Sequence, residues 1–140
     1  MEKAPQLTVM PALAAHDLCF FSLMTQNMTL IYKITTVPEW RAAESEGVFR
    51  GAAIDLSDGF IHFSAADQAE ETAARHFAGQ TDLLLVSVDA DKLGGALKWE
   101  ASRGGALFPH LYAPLTLDAV TRVAPLPLRP DGRHDFSGLL

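Results

Sequence analysis

Leu30-Ile31-Tyr32-Lys33-Ile34-Thr35-Thr36-Val37-Pro38-Glu39-Trp40 carries a strand straight into a helix, and the rest of the fold is read outward from it. Leu30 to Thr35 is rich in β-branched and aromatic residues, which suit a pleated, half-buried segment. Thr36 and Glu39 have the spacing of a capping box, and Pro38 falls in the first turn, where its missing N–H leaves nothing unpaired. Gly47 can close the helix in the left-handed conformation, with Trp40, Ala43 and Val48 as its apolar side.

Downstream, Phe49 to Gly59 contains Gly51, Asp55, Asp58 and Gly59 and reads as a loop into a second strand, Phe60 to Phe63. Ser64 and Asp67 repeat the capping spacing, and Ala69, Ala73, His76 and Phe77 recur at helical intervals before Gly79, predicting a second helix. Leu83 to Val88 is an apolar run of strand length, as expected for a central strand buried on both faces. Ala96 to Glu100, Leu107 to Leu111 and Val120 to Leu126 are the remaining strands, with Pro109, Pro114 and Pro125 favouring edge or bulged positions. Helices in the first half and strands in the second predict an α+β fold: a split, mainly antiparallel sheet with two helices. Neither a Rossmann nor a Walker glycine loop is present.

Composition bounds the function. The chain has 140 residues, 49% hydrophobic and 20% charged, enough for one domain with a real core. A net charge of -6 and the lack of any basic run exclude a protein whose main task is to neutralise a nucleic-acid backbone. The single cysteine, Cys19, can form no disulfide within the chain, which fits a reducing, cytoplasmic setting. Residues 1–27 keep no regular period and read as a poorly ordered extension; Glu2, Pro11 and His16-Asp17 break any secretory or membrane-spanning pattern. The domain is expected to span residues 28–140, with translation starting at Met28. Its end, Arg129 to Leu140, is expected to be loop or tail, with His134 and Phe136 able to dock.

Strand alternation puts Phe60, His62 and Ser64 on one face, and Phe108, His110 and Tyr112 on another. If both faces meet one cleft with Glu100, the cleft holds two groups suited to proton transfer near neutrality, a carboxylate and aromatic rings. Against this stands the simpler reading that each strand histidine is a core residue bonded to backbone, and that Ser64 only caps the second helix. His76 in the last helical turn reads as a complement to the helix dipole, and Trp40 as core. His62, His110 and Glu100 lack a local metal-binding spacing, so no metal is expected.

Tyr32 to Thr35, Trp40, Gly59-Phe60-Ile61-His62-Phe63-Ser64, Gln68, Phe77, Glu100 and Phe108-Pro109-His110-Leu111-Tyr112 together resemble the domain-of-unknown-function family nine-five-two, over about Leu30 to Leu126. That family is in turn similar to the ADP-ribosyltransferase fold, a split antiparallel sheet that clamps NAD. The resemblance implies an ADP-ribosyltransferase-like fold in which Lys33 takes the ribose-holding position, His62 and Ser64 line the nicotinamide site, and Glu100 contacts a ribose hydroxyl. It makes Glu100, His62 and His110 the candidate catalytic residues, with Lys33, Ser64, Phe108 and Tyr112 binding the ligand. Lys33 departs from the His or Arg of that fold, and His110 and Tyr112 have no simple counterpart in it. The expected partner is a nucleotide-like small molecule, with NAD as a possible substrate in ADP-ribosyl transfer or hydrolysis. The alternative is a non-catalytic module that binds a metabolite or a partner through the same cleft.

Overall fold

A computed structural model describes residues 28–140; the expected extension over 1–27, with Cys19, lies outside the described residues. Strand β1 (Leu30–Thr36) runs directly into helix α1 (Val37–Glu46). Thr36 Oγ1 accepts from the Glu39 N–H while Glu39 Oε1 accepts from the Thr36 N–H, and Gly47 ends the helix at φ 88°. The capping box and the glycine stop therefore form as the sequence predicts.

Then come β2 (Val48–Phe49), α2 (Ala53–Asp58), β3 (Ile61–His62), α3 (Ala69–His76), β4 (Leu83–Asp89), β5 (Leu97–Ala101), β6 (Leu107–Leu111), β7 (Leu115–Thr116) and β8 (Val120–Pro125). Among the described residues every strand pairing is antiparallel, in sheets ordered β1-β4-β8, β3-β6-β5 and β2-β7. Immediately after β3, Ser64 makes an isolated bridge to Tyr32, each backbone N–H donating to the other's carbonyl at 2.8 Å. This bridge joins the two three-stranded sheets, so the sheet is split and α+β in class.

β4 is central, as its apolar run predicts, and separates two cores. Ile31, Val86 and Val88 face Trp40, Phe49, Phe63 and Leu115, whereas Ile34 and Leu85 face Ala69, Ala73, Leu126 and Phe136. Full burial of each large aliphatic chain contributes about 1.5–3 kcal/mol, so this two-sided strand anchors the domain. The C-terminal segment is docked: Phe136 joins the second core and His134 bonds the Gln80 carbonyl at 2.8 Å.

Three expectations need correction. Among the described residues there are three α-helices rather than two, because the supposed loop contains α2. In α2 the apolar residues Ile54 and Leu56 point outward, 59% and 67% exposed, while Asp55 points in, so the hydrophobic pattern is inverted. Ser64 does not cap α3, which starts after Gln68; its hydroxyl instead meets Thr72. Finally, Pro109 lies in β6, the middle strand of its sheet, rather than on an edge. Its carbonyl accepts from Phe63 N–H, so the donor it lacks falls on that same side, where β3 has already ended.

Candidate functional site

The cross-strand pair His62↔His110 in β3 and β6 sets two histidines side by side, with ring centroids 5.6 Å apart. Phe60 lies against both, stacked on His110 at 4.1 Å and tilted to His62 at 4.6 Å, and reaches Tyr112 at 5.2 Å. The alternation read from the sequence thus brings the two predicted faces together on one surface.

Each histidine is held by carboxylates. His110 Nδ1 lies 2.8 Å from Glu100 Oε1, which also accepts from the Tyr112 hydroxyl at 2.7 Å. The hydrogen bond from His110, then that from Tyr112, holds the Glu100 carboxyl below its usual range. The same bond pushes the Tyr112 phenol up. An ionised Glu100 only accepts, so Nδ1 carries the proton and the other ring nitrogen is left to address a ligand.

His62 is gripped from both ends, with Nδ1 2.6 Å from Asp55 and Nε2 3.0 Å from Asp58. Both contacts are hydrogen bonds to ionised carboxylates only when the ring carries two protons. Asp55, 2% exposed, also accepts from the backbone N–H groups of Ala52 and His62 and pairs with Lys33 Nζ at 2.8 Å. Burial, the largest influence, pushes its carboxyl up. The His62 hydrogen bond, the Lys33 charge and bond, and the Ala52 amide together outweigh burial and hold it at about 2. In Lys33 the balance goes the other way: burial lowers the ammonium more than Asp55 raises it.

A cleft of about 560 Å³ opens beside this cluster, within the size range of small-molecule sites. His62, Ser64, Phe108 and His110 line it from the strands, facing Thr72, His76 and Phe77 of the α3 segment, with Ile54 and Asp58 at the α2 side. Of the expected site residues, His62, His110, Ser64 and Phe108 therefore share one cleft. Glu100 and Tyr112 stand behind His110 and outside the cleft lining, Tyr112 being 44% exposed. Lys33, expected to hold the ribose, has its ammonium buried against Asp55, which in turn bonds His62. Among the described residues, no three His, Cys, Asp or Glu side chains are placed to hold a metal ion.

Sequence reasoning missed Asp55, Asp58 and Thr72, and read His76 only as a dipole partner. The inverted amphipathicity of α2 hid its two aspartates. The available signal was the pair of glycines around it: Gly51 and Gly59 both adopt positive φ and bracket a tight helical turn.

The glycine-to-serine and Phe-Pro-His-Leu-Tyr blocks that build this surface fall within residues 34–123, which match the family described as protein of unknown function DUF952. The chain belongs to the DUF952 family. It is similar to the crystal structure of protein CC0527 from Caulobacter crescentus, with 58% identity and a TM-score of 0.75 over 78% of this chain and 96% of that one. The solution NMR structure of CC0527 gives 57% identity and a TM-score of 0.73, covering 81% and 97%. No curated protein matches the chain. Among the described residues of this DUF952 domain, no helix is long and apolar enough to cross a membrane.

Proposed function

We propose that the cleft binds NAD or a closely related nucleotide-like molecule and cleaves its bond between ribose and nicotinamide, with water or another nucleophile as acceptor. The observation that carries this reading is the pair of carboxylate-supported histidines, 5.6 Å apart, on the wall of one cleft. A split antiparallel sheet of the ADP-ribosyltransferase kind is the scaffold on which such a cleft would take NAD.

In the hydrolytic form, the C1′–N bond breaks and its electron pair stays on the nicotinamide nitrogen. A water oxygen bonds to C1′, and the water proton passes to the ring nitrogen of His110 that Glu100 does not engage. Glu100 is then a positioning residue that holds the imidazole in its working tautomer. Asp58 and the Glu100 field favour the positive charge that develops on the ribose. His62, with both ring nitrogens held by Asp55 and Asp58, forms the cleft wall beside His110.

The test is a thermal-shift titration with NAD, ADP-ribose and nicotinamide, followed by product analysis for the wild type and Glu100→Gln. NAD is expected to raise the melting temperature, and Glu100→Gln to keep that shift while losing turnover. Normal turnover in Glu100→Gln overturns the mechanism, and silence across all three ligands overturns the NAD reading.

One observation favours a non-catalytic binding module. Asp55, Asp58 and Glu100 are all already bonded to a histidine, so contact with a ribose hydroxyl would have to displace or share those bonds. Saturable binding of NAD without product is its expected outcome.

A further inference from the structure

β5 is the outer strand of the β3-β6-β5 sheet, and its neighbour fixes which way its backbone groups point. Residues directly opposite each other in an antiparallel pair turn their N–H and carbonyl groups either both towards or both away from one another. Pro109, opposite Trp99, turns its carbonyl to Phe63 of β3, and the Tyr112 N–H donates to the Ala96 carbonyl just before β5. Both bonds give the same phase: Leu97, Trp99 and Ala101 aim their backbone groups at the open edge. Among the described residues only the Leu97 N–H is taken there, by the Gly94 carbonyl. A lysine alone would blunt such an edge. Lys98 and Glu100, on the same face of β5, make it self-complementary instead.

We infer that β5 is a dimerisation edge, pairing antiparallel with β5 of a second copy about a two-fold axis at Trp99. In that register the outward groups of Trp99 bond those of the partner's Trp99, and the Ala101 N–H reaches the partner's Leu97 carbonyl. Lys98 lies opposite the partner's Glu100, and Glu100 opposite the partner's Lys98, at the closely spaced positions where cross-strand side chains meet. A slip that keeps the backbone in phase sets Lys98 against its own copy or Glu100 against its own, so charge selects the register. On the other face Trp99, 42% exposed, covers its copy. His110 and Tyr112 both engage Glu100 Oε1, which leaves Oε2 for the partner's Lys98. The second copy thereby adds a cation to the carboxylate that holds His110, whichever ligand the cleft takes.

The experiment is analytical ultracentrifugation of the full chain across a concentration series. The mass is expected to rise reversibly from one chain to two, because a strand of 5 residues is a modest interface. Lys98→Glu puts like charges opposite each other at both pairs and should weaken the dimer at least about tenfold. Glu100→Lys should do the same, and an equimolar mixture of the two variants restores every opposite pair, so it should dimerise where neither does alone. Ala101→Pro removes an outward N–H that β6 does not use; it too should weaken the dimer, and it carries the test if Glu100→Lys fails its thermal melt. Trp99 reports the same event, its emission shifting to the red on dilution while buried Trp40 stays fixed. A wild type of one-chain mass at its highest soluble concentration overturns the inference. So does a dimer unchanged by Lys98→Glu, or a mixture of the two folded charge variants that stays monomeric. None of these results touches the NAD reading, which is judged by ligand binding.

Discussion

Lys33 and Asp55 form an ion pair of 2.8 Å in which the side chains are only 6% and 1% exposed. The pair lies under His62, so a charge from β1 and a charge from α2 support a histidine that neither element carries.

Removing one member of a buried pair leaves the other uncompensated, which costs about 3–5 kcal/mol. Asp55→Asn is expected to fall in that range, because it strands Lys33 and also weakens the contacts to His62 and Ala52. Lys33→Met should cost less, since Asp55 keeps its bonds from His62 and from two backbone amides. Urea unfolding of the two variants checks the order; a Lys33→Met loss equal to or above that of Asp55→Asn would contradict it.

Acid should destabilise the domain through the same carboxylate. Asp55 has its pKa lowered from 3.8 to about 2 on folding, so the unfolded chain binds the proton more readily. The stabilisation is complete above about pH 4 and is lost as pH falls through about 2. It amounts to roughly 2 kcal/mol at about 1.4 kcal/mol per pH unit. Denaturation midpoints followed between pH 5 and 2 should show this loss in the wild type and a flatter profile in Asp55→Asn.

Glu100 and Tyr112 can be read optically. Tyr112 ionises above its usual range because its hydroxyl donates to Glu100, and Tyr32 does so through burial. In Glu100→Gln the phenol of Tyr112 should titrate closer to its ordinary value while Tyr32 keeps its raised midpoint. Ultraviolet titration of the two phenols, with Tyr112→Phe to assign them, measures this directly.

Gly51 tests how Asp55 is seated. Its φ is 121°, and a Cβ there would lie 2.8 Å from the Asp55 Cβ; the same atom on Gly59 meets nothing within 4 Å. Gly59→Ala should cost only backbone strain, about 1–2 kcal/mol. Gly51→Ala should cost more and also disturb the His62 environment, seen as a shifted imidazole resonance that Gly59→Ala leaves in place.

The features legible in the sequence were those where local chemistry and burial agree. Thr36, Glu39 and Gly47 marked a helix whose apolar side is buried, and Leu83 to Val88 read as a central strand because both of its faces meet protein. Alternation in β3 and β6 was enough to bring His62, His110 and Phe60 together. What stayed hidden was set by tertiary contacts. Ile54 and Leu56 face outward while Asp55 turns in to Lys33, a partner 22 positions away. Ser64 has the side chain of a helix cap, yet its hydroxyl is used across the cleft, because its backbone pairs with β1 instead of starting α3.

The Tyr32–Ser64 bridge makes the cleft a seam. Two amide protons stitch the β1-β4-β8 sheet to the β3-β6-β5 sheet, and Ser64 is both the stitch and a wall of the cleft. A guest seated against Ser64 would be felt by the backbone of both sheets at once. Deuterium uptake at those two amides is therefore a gauge of occupancy: slow when the seam is clasped by a guest, faster when the sheets are left to part.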